Sequence, residues 1–444
     1  MDYYRCPVEF AAIGASDPLS AKEGYFTFRA ATCYGRRSGG PPSAHLNGSV
    51  PDVSSAVDSR GEYVRLPFDL AEVVTNLRQE RYTRNSNRYA ERILAGDVVR
   101  SAYYFLRPIL PVAIRKHLQK ARLNGWEGIA FPRWPVDFTV ETLMQRAMAL
   151  ELKRTGVRRI PFVWFWPEGA ESAAILTHDV EDTGGRDFCD QLMDLDDSYG
   201  IKSSFQIVPE DRYEGSKDLS VSVRSRGFEA NVHDLNHDGH LFDSKERFLE
   251  RVSKINEYGR IFQSQGFRSA IMYRRQDWCE ALQFSYDMSV PNVAHLEPQR
   301  GGCCTVMPYF LGELLELPLT TIQDYSLFHI LGDYSITIWK RQIDQILAQN
   351  GLISLLAHPD YLIDNRSQAT YRELLSHVSD LRDQNRLWMA LPRDVAGWWR
   401  NRSRMVIVPD GDSWRIEGPE NHRARIAYAL LQDDRVVYEL DPAS

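Results

Sequence analysis

The sequence predicts an α/β fold: a central region of layered strands and helices, a mostly helical region before it and a small β appendage after it. Three patterns predict this. From about residue 170 to 400, short apolar runs alternate with amphipathic stretches, as expected of strands layered with helices. In the first 165 residues apolar positions recur with helical spacing behind capping residues, and aromatic residues are frequent. From Met405 to Leu440 short apolar segments alternate with turns at Asp410-Gly411-Asp412 and Asp433-Asp434. A chain of 444 residues is too long for one ordinary core, so residues 1–165, 170–400 and 405–444 are read as separate regions.

In the first region Asp69 heads Leu70, Val73, Val74 and Leu77, and a second amphipathic stretch runs from Val112 through Ile114, Leu118 and Ala121. Thr139 is the N-cap expected for a helix carrying Leu143, Ala147 and Leu150. Between Arg36 and Ser59 the chain is rich in Gly, Pro and Ser and is read as an irregular, flexible loop. Trp126, Trp134, Trp164 and Trp166 are expected mainly in the core, although an indole face also suits a sugar ring. Ile160 to Pro167 reads as a proline-bounded strand packing this region against the next.

In the second region Ala173 to Thr177, Ser203 to Val208, Glu229 to Val232 and Leu352 to Ala357 read as buried strands. Phe248, Val252, Ile255 and Tyr258 form a helical stripe ahead of Gly266. Candidate reactive residues stand repeatedly at strand ends, where sites in such folds are built.

The composition, 43% hydrophobic and 25% charged, is that of a soluble globular protein. A formal charge of −7 without a long block of like charge argues against a nucleic-acid partner or an anionic membrane. The start, Met1-Asp2-Tyr3-Tyr4-Arg5-Cys6, lacks the features of a secretory signal, and no apolar run approaches the roughly 20 residues of a spanning helix, so a cytoplasmic protein is expected. The six cysteines contain no C-x-x-C pair, and Cys303-Cys304 after Gly301-Gly302 read as small packed residues of a tight turn.

The chemistry concentrates in two stretches. Thr177-His178-Asp179-Val180-Glu181-Asp182 ends one apolar run, and His233-Asp234-Leu235-Asn236-His237 follows another. In an extended chain positions 179 and 181 project to the same side, so one carboxylate can sit on a metal and the other stay free. His233 and His237 have the i, i+4 spacing that presents two imidazoles to one ion from a helical turn, and His240 is a further candidate to contact substrate or orient a neighbour. Two histidines and a carboxylate leave positions open on a divalent ion, the arrangement of a catalytic site. The free carboxylate would accept a proton from water, and His358, fixed before Pro359, is the expected acid. Arg268 would hold the free carboxylate ionised.

In that order the motifs resemble the polysaccharide deacetylases of carbohydrate esterase family 4, also described by the NodB homology domain. Gly266-Phe267-Arg268-Ser269 is similar to that family's arginine motif, Tyr286-Asp287-Met288-Ser289-Val290-Pro291 to the segment after it, and Leu355-Leu356-Ala357-His358-Pro359-Asp360 to its last histidine motif. The resemblance spans about residues 170–400 and implies a distorted (β/α) barrel with a divalent metal, zinc first, with nickel, cobalt and manganese as alternatives. It implies that Asp179 is the base, that Arg268 tethers it, that His358 is the acid, and that His233, His237 and a second carboxylate bind the metal. The spelling departs from two adjacent aspartates. Glu181 is favoured as the third ligand, with Asp182 as the substitute. The arginine motif is also altered, to Arg268-Ser269-Ala270. The expected activity is removal of an N- or O-acetyl group from a carbohydrate. The alternatives are a C–N hydrolase acting on a small amide or cyclic ureide, and a catalytically silent carbohydrate-binding protein.

Overall fold

The computed structural model describes residues 3–83, 123 and 125–442. The amphipathic stretch from Val112 to Ala121 lies outside these residues. At the centre is a nine-stranded sheet. Its parallel strands run in the order Leu314–Glu316, Tyr286–Asp287, Gly266–Arg268, Glu229–His233, Ser204–Ile207, Ser172–Val180 and Leu352–Ala357, and Tyr309–Leu311 adds an antiparallel edge. Every residue of Ser172–Val180 and of Leu352–Ala357 is buried. Burial on both faces is why these strands read as continuous apolar runs and not as alternating ones.

The strand Ser172–Val180 is long enough to take three partners. Leu352–Ala357 lies along one edge, while Leu387–Met389 pairs at residues 172–174 and Ser204–Ile207 at residues 177–180. The curled sheet is closed by side chains, not by a further ladder. Beyond Leu314–Glu316, Thr320 Oγ1 donates to Leu352 O at 2.8 Å and accepts from Ser354 N at 2.8 Å, and Thr321 Oγ1 donates to Ser354 O at 2.8 Å. Two hydroxyls thus satisfy backbone groups that would otherwise be orphaned in the interior.

The crossover helices follow from their caps and stripes. Thr183–Ser198 is capped by Asp182 and buries Phe188, Leu192, Met193 and Leu195. Lys245–Phe262 is capped by Ser244 and buries Phe248, Val252, Ile255, Gly259 and Phe262. A Cβ at Gly259 would meet the Phe284 ring at 2.9 Å, so the helix approaches that ring only because position 259 has no side chain.

The regions on either side of the barrel differ from the sequence expectation. Among the described residues, those before 165 are not mostly helical. Beside Leu70–Arg78 and Thr139–Thr155 stand the hairpin Gly24–Phe28 with Ala31–Gly35, the parallel pair Ile13–Ala15 with Val64–Leu66, and Arg159–Val163. Strands of three to five residues are too short for period-two alternation to declare itself. The Gly/Pro-rich stretch has little regular structure, yet Tyr25 pairs with Ser43 and Thr27 with Asp52, which ties it to the first hairpin.

The chain after Met405 is not a separate appendage. Its second hairpin, Ile426–Gln432 with Arg435–Leu440, pairs through Ile426–Leu430 with Arg159–Val163, and Tyr438 packs among Tyr4, Phe162, Trp164 and Phe165. Buried Arg402 ties Tyr3 and Tyr4 to the strand Arg159–Val163: its Nη2 donates to Val163 O at 2.7 Å, Tyr3 O at 3.1 Å and Tyr4 O at 3.3 Å. No helix among the described residues is long and apolar enough to cross a membrane.

Replacing Thr320 by isosteric Val leaves a buried N–H and a buried C=O without a partner. Stability should fall by about 2 kcal/mol in urea unfolding. A loss within error of zero would show that the hydroxyl does not close the barrel.

Candidate active site

The carboxyl ends of four strands of one sheet deliver the reactive side chains to one point. Asp179 is the last residue but one of the longest strand, His233 ends Glu229–His233, Arg268 ends Gly266–Arg268, and His358 follows Leu352–Ala357. Parallel pairing aligns these ends, so residues far apart in sequence meet at one edge.

Arg268 is fully buried and organises the centre. Its Nη1 donates to Asp179 Oδ1 at 2.7 Å and to Thr177 Oγ1 at 2.9 Å, and its Nε donates to Met288 O at 3.1 Å. Burial alone would push the Asp179 carboxyl up, but the charge of Arg268 first, and those of His233 and His358 when protonated, outweigh it and hold Asp179 below the usual carboxylate range. Asp179 is therefore an anion with one oxygen, Oδ1, committed to Arg268. Its Oδ2 lies 3.5 Å from His233 Nε2.

Glu181, two residues on, faces a different group. Its Oε1 lies 2.9 Å from His237 Nε2, 3.5 Å from His358 Nε2 and 3.7 Å from His233 Nε2. Its own burial opposes ionisation, and the surrounding imidazoles, His237 foremost, override it and hold Glu181 well below the usual range. The period of a strand explains the split: with Val180 buried between them, 179 and 181 emerge on the same side.

The two histidines are not on a helical turn. Asp234 and His237 both have left-handed backbones, φ 55° and 54°, which fold the loop back and end any helical path. Asp234 makes this conformation tenable. Its N–H donates to Arg268 O at 2.8 Å, and its carboxylate accepts from Leu235 N at 2.7 Å and Ala270 N at 3.2 Å. The ring centroids of His233 and His237 end 4.9 Å apart.

His233 Nδ1 is 3.1 Å from the Arg268 carbonyl, which fixes Nδ1 as the donor and turns the Nε2 lone pair inward. His237 Nε2, although 2.9 Å from Glu181 Oε1, lacks hydrogen-bond alignment with it, and both Nε2 atoms are buried with no hydrogen-bond partner. Glu181, His233 and His237 offer ligand atoms all within 4.8 Å of one another. Two inward-facing imidazole nitrogens without a hydrogen-bond partner, beside a carboxylate, are what a divalent cation would satisfy, so this donor set fits a metal.

On the far side His358 is clamped by Asp324. The backbone N–H of His358 donates to Asp324 Oδ2 at 2.7 Å, and its Nδ1 lies 2.6 Å from Asp324 Oδ1. Burial favours the neutral ring, but Asp324 and then Glu181 raise the His358 pKa well above the ordinary value, which favours the imidazolium. Nδ1 is committed to Asp324, which leaves Nε2 facing the centre.

Of the residues singled out in the sequence, the structure brings Asp179, Glu181, His233, His237, Arg268 and His358 together. It does not bring Asp182. That side chain caps the helix Thr183–Ser198, accepting from Gly185 N at 2.8 Å, and so points away from the cluster. His240 is turned to Asp243, 2.8 Å from Nδ1 to Oδ2. Cys303 and Cys304 are buried, unoxidised thiols whose pKa values burial raises, as unreactive packed cysteines require.

Several residues escaped the sequence reading. Asp324 precedes the π-helical turn Tyr325–Leu331, outside every motif, and nothing local marks it. Arg212 Nε donates to Glu181 O at 2.7 Å and Tyr213 OH to Val180 O at 3.0 Å, fixing the chain where it leaves the strand. Below Arg268 lie two buried carboxyls, Asp287 and Glu316. Burial raises both, and Asp287 lifts Glu316 further, which disfavours two full negative charges beneath the guanidinium.

No family model matches this chain, and no curated protein matches it. Solved structures do align with about half of it. One, from Mycobacterium smegmatis and assigned as a polysaccharide deacetylase, is 17% identical, covering 54% of this chain and 93% of its own, with a TM-score of 0.44. The allantoinase Puue is 12% identical, covering 53% and 92%, with a TM-score of 0.42. A Pseudomonas aeruginosa protein assigned as a polysaccharide deacetylase is 12% identical, covering 53% and 93%, with a TM-score of 0.42.

The cap geometry separates the two acidic neighbours experimentally. Asp182→Ala should lower stability by about 1 kcal/mol in urea unfolding and leave the metal content of the purified protein unchanged, whereas Glu181→Ala should reduce the metal content. Metal lost from the Asp182 variant alone would reverse the assignment.

Proposed function

We propose that this protein is a metal-dependent hydrolase that removes an acetyl group from an acylated carbohydrate, with Glu181, His233 and His237 holding the metal. The observation that carries this reading is the division of labour between the two carboxylates: Asp179 is neutralised by Arg268 and Glu181 is turned to the imidazoles, while a protonated His358 stands opposite. A divalent cation bound there would supply Lewis acidity toward a carbonyl oxygen and a water molecule.

This chain's own residues supply the proton transfers. Asp179 accepts the proton of the attacking water at Oδ2, the oxygen that Arg268 leaves free. His358 gives the proton at Nε2 to the departing nitrogen or oxygen, and Asp324 holds its ring in place throughout. One acyl C–N or C–O bond breaks and one C–O bond forms from water, with the two protons accounted for by base and acid. Arg268 keeps Asp179 ionised and aimed, and the carbonyl of the same residue keeps His233 in the tautomer a ligand needs.

A second reading is a C–N hydrolase acting on a small amide or cyclic ureide, favoured by how deeply the centre lies. Asp179 and His237 are each 2% exposed, His233 is fully buried, and the Glu181 side chain is 19% exposed. A small substrate needs less open space than a polymer.

The test is an acetate- and ammonia-release screen over acetylated monosaccharides, nucleotide sugars, glycan oligomers and small amides, with and without a chelator. Chelation should abolish turnover and zinc should restore it. Asp179→Asn should keep the metal and lose on the order of 10²–10⁴-fold in kcat, the usual contribution of a general base. Full activity in Asp179→Asn would remove the assigned base. A protein that takes up no divalent ion would instead fit a silent carbohydrate-binding role.

A further inference from the structure

A cavity of about 770 Å³ lies at the opposite edge of the barrel from the metal cluster. Glu171 and Asn350 line it, immediately before the two strands, Ser172–Val180 and Leu352–Ala357, whose far ends carry Asp179 and His358. Its remaining wall comes from the helix Thr139–Thr155, the tip of the first hairpin and the last strand, Arg435–Leu440. None of these residues takes part in the chemistry assigned above.

Three arginines converge on this cavity, Arg29, Arg146 and Arg435, in a protein whose formal charge is −7. The two acidic residues of the lining are already engaged: Asp434 with Lys153 at 2.7 Å and Glu171 with Arg386 at 3.0 Å. Asp434 also feels the charge of Arg29. Among the described residues no carboxylate lies at ion-pair distance from Arg29, Arg146 or Arg435. Arg146 is half buried and donates to the carbonyl of Phe28. Burial and the nearby Arg29 both disfavour its charge, while Cys33 acts the other way. Three guanidinium groups gathered at one concavity, none of them in ion-pair contact with a carboxylate among the described residues, favour an anion there.

The backbone holds these groups in place under strain. Arg29 and Ala30, the two-residue turn of the first hairpin, have φ 47° and 64°, a conformation that favours Gly or Asn. Asp433 and Asp434, the turn of the last hairpin, have φ 49° and 62°. Both tips reach the same rim. A non-glycine pair kept in a left-handed turn, with an arginine projecting from it, is the kind of strain that functional sites retain.

The cavity is too large for a bare inorganic anion and falls within the range of small-molecule sites. Gln145 and Gln349, joined Nε2 to Oε1 at 3.0 Å, offer neutral polar groups, and Trp164 and Tyr438 offer ring surface. Guanidinium forks match phosphate oxygens in pairs. We propose that this cavity binds an organic phosphate, its phosphate on Arg29, Arg146 and Arg435 and its sugar or nucleoside body against the Gln145–Gln349 amides.

The test is calorimetric titration of the full-length protein, stripped of metal by a chelator, with uridine monophosphate, glucose 6-phosphate and inorganic phosphate as probes. At least one organic phosphate should bind more tightly than inorganic phosphate. Arg29→Gln and Arg435→Gln should each weaken it by about tenfold, as expected for a lost charge-assisted contact, with unchanged melting by circular dichroism. His237→Ala should bind as the wild type does. Tighter binding of the nucleotide assigns a nucleoside body and tighter binding of the sugar phosphate a sugar. The proposal falls if no organic phosphate binds at millimolar concentration, if inorganic phosphate binds equally well, if the arginine variants bind normally, or if His237→Ala abolishes binding.

Discussion

The buried pair of Arg268 and Asp179 is the interaction on which the rest of the site depends. A guanidinium and a carboxylate taken out of water carry a large desolvation cost, repaid only when the remaining donors find partners. Here Nη1 binds Asp179 and Thr177 and Nε the Met288 carbonyl, Nη2 is buried without a hydrogen-bond partner, and the backbone carbonyl of the same residue accepts from Asp234 N–H and faces His233 Nδ1. One residue therefore keeps Asp179 ionised, sets the tautomer of His233 and anchors the loop that brings His237 inward. Removing either partner of such a pair typically costs about 3–5 kcal/mol, and here it would also release the geometry of both histidines.

Around this pair, charge is distributed so that two carboxylates two residues apart do different work. Asp179 has a permanent cation and Glu181 has only imidazoles, so the first remains an anion without metal and the second has ligand neighbours. The raised pKa values of Asp287 and Glu316 disfavour a full double negative charge under Arg268, which would compete with its claim on Asp179. Opposite, Asp324 does for His358 what the Arg268 carbonyl does for His233: it occupies one ring nitrogen and thereby aims the other.

Much of this centre was legible in sequence because strand ends carry short-range signals. Continuous apolar runs marked Ala173 to Thr177, the core of Ser172–Val180, and Leu352–Ala357, since burial on both faces removes any alternation. The reactive residues then stand immediately after those runs. What escaped depends on contacts between distant segments. Asp324 meets His358 across 34 residues with no local motif, and Thr320 and Thr321 close the barrel by side-chain bonds that no periodicity encodes. The helical reading of His233 and His237 failed because two left-handed residues, at 234 and 237, give the same i, i+4 convergence from a loop. Outside the barrel, the short strands after Met405 and their turns were legible in the local spacing, whereas the three- to five-residue strands before 165 and the pairing of Ile426–Gln432 with Arg159–Val163 depend on tertiary partners.

The most direct measurement is anomalous diffraction at the metal edge from crystals of the zinc-loaded protein. The account predicts one ion held by Glu181, His233 and His237, with Asp179 still paired to Arg268 and outside the ligand set. An ion bound by Asp179 or Asp182 in place of Glu181, or bound elsewhere in the chain, would contradict it.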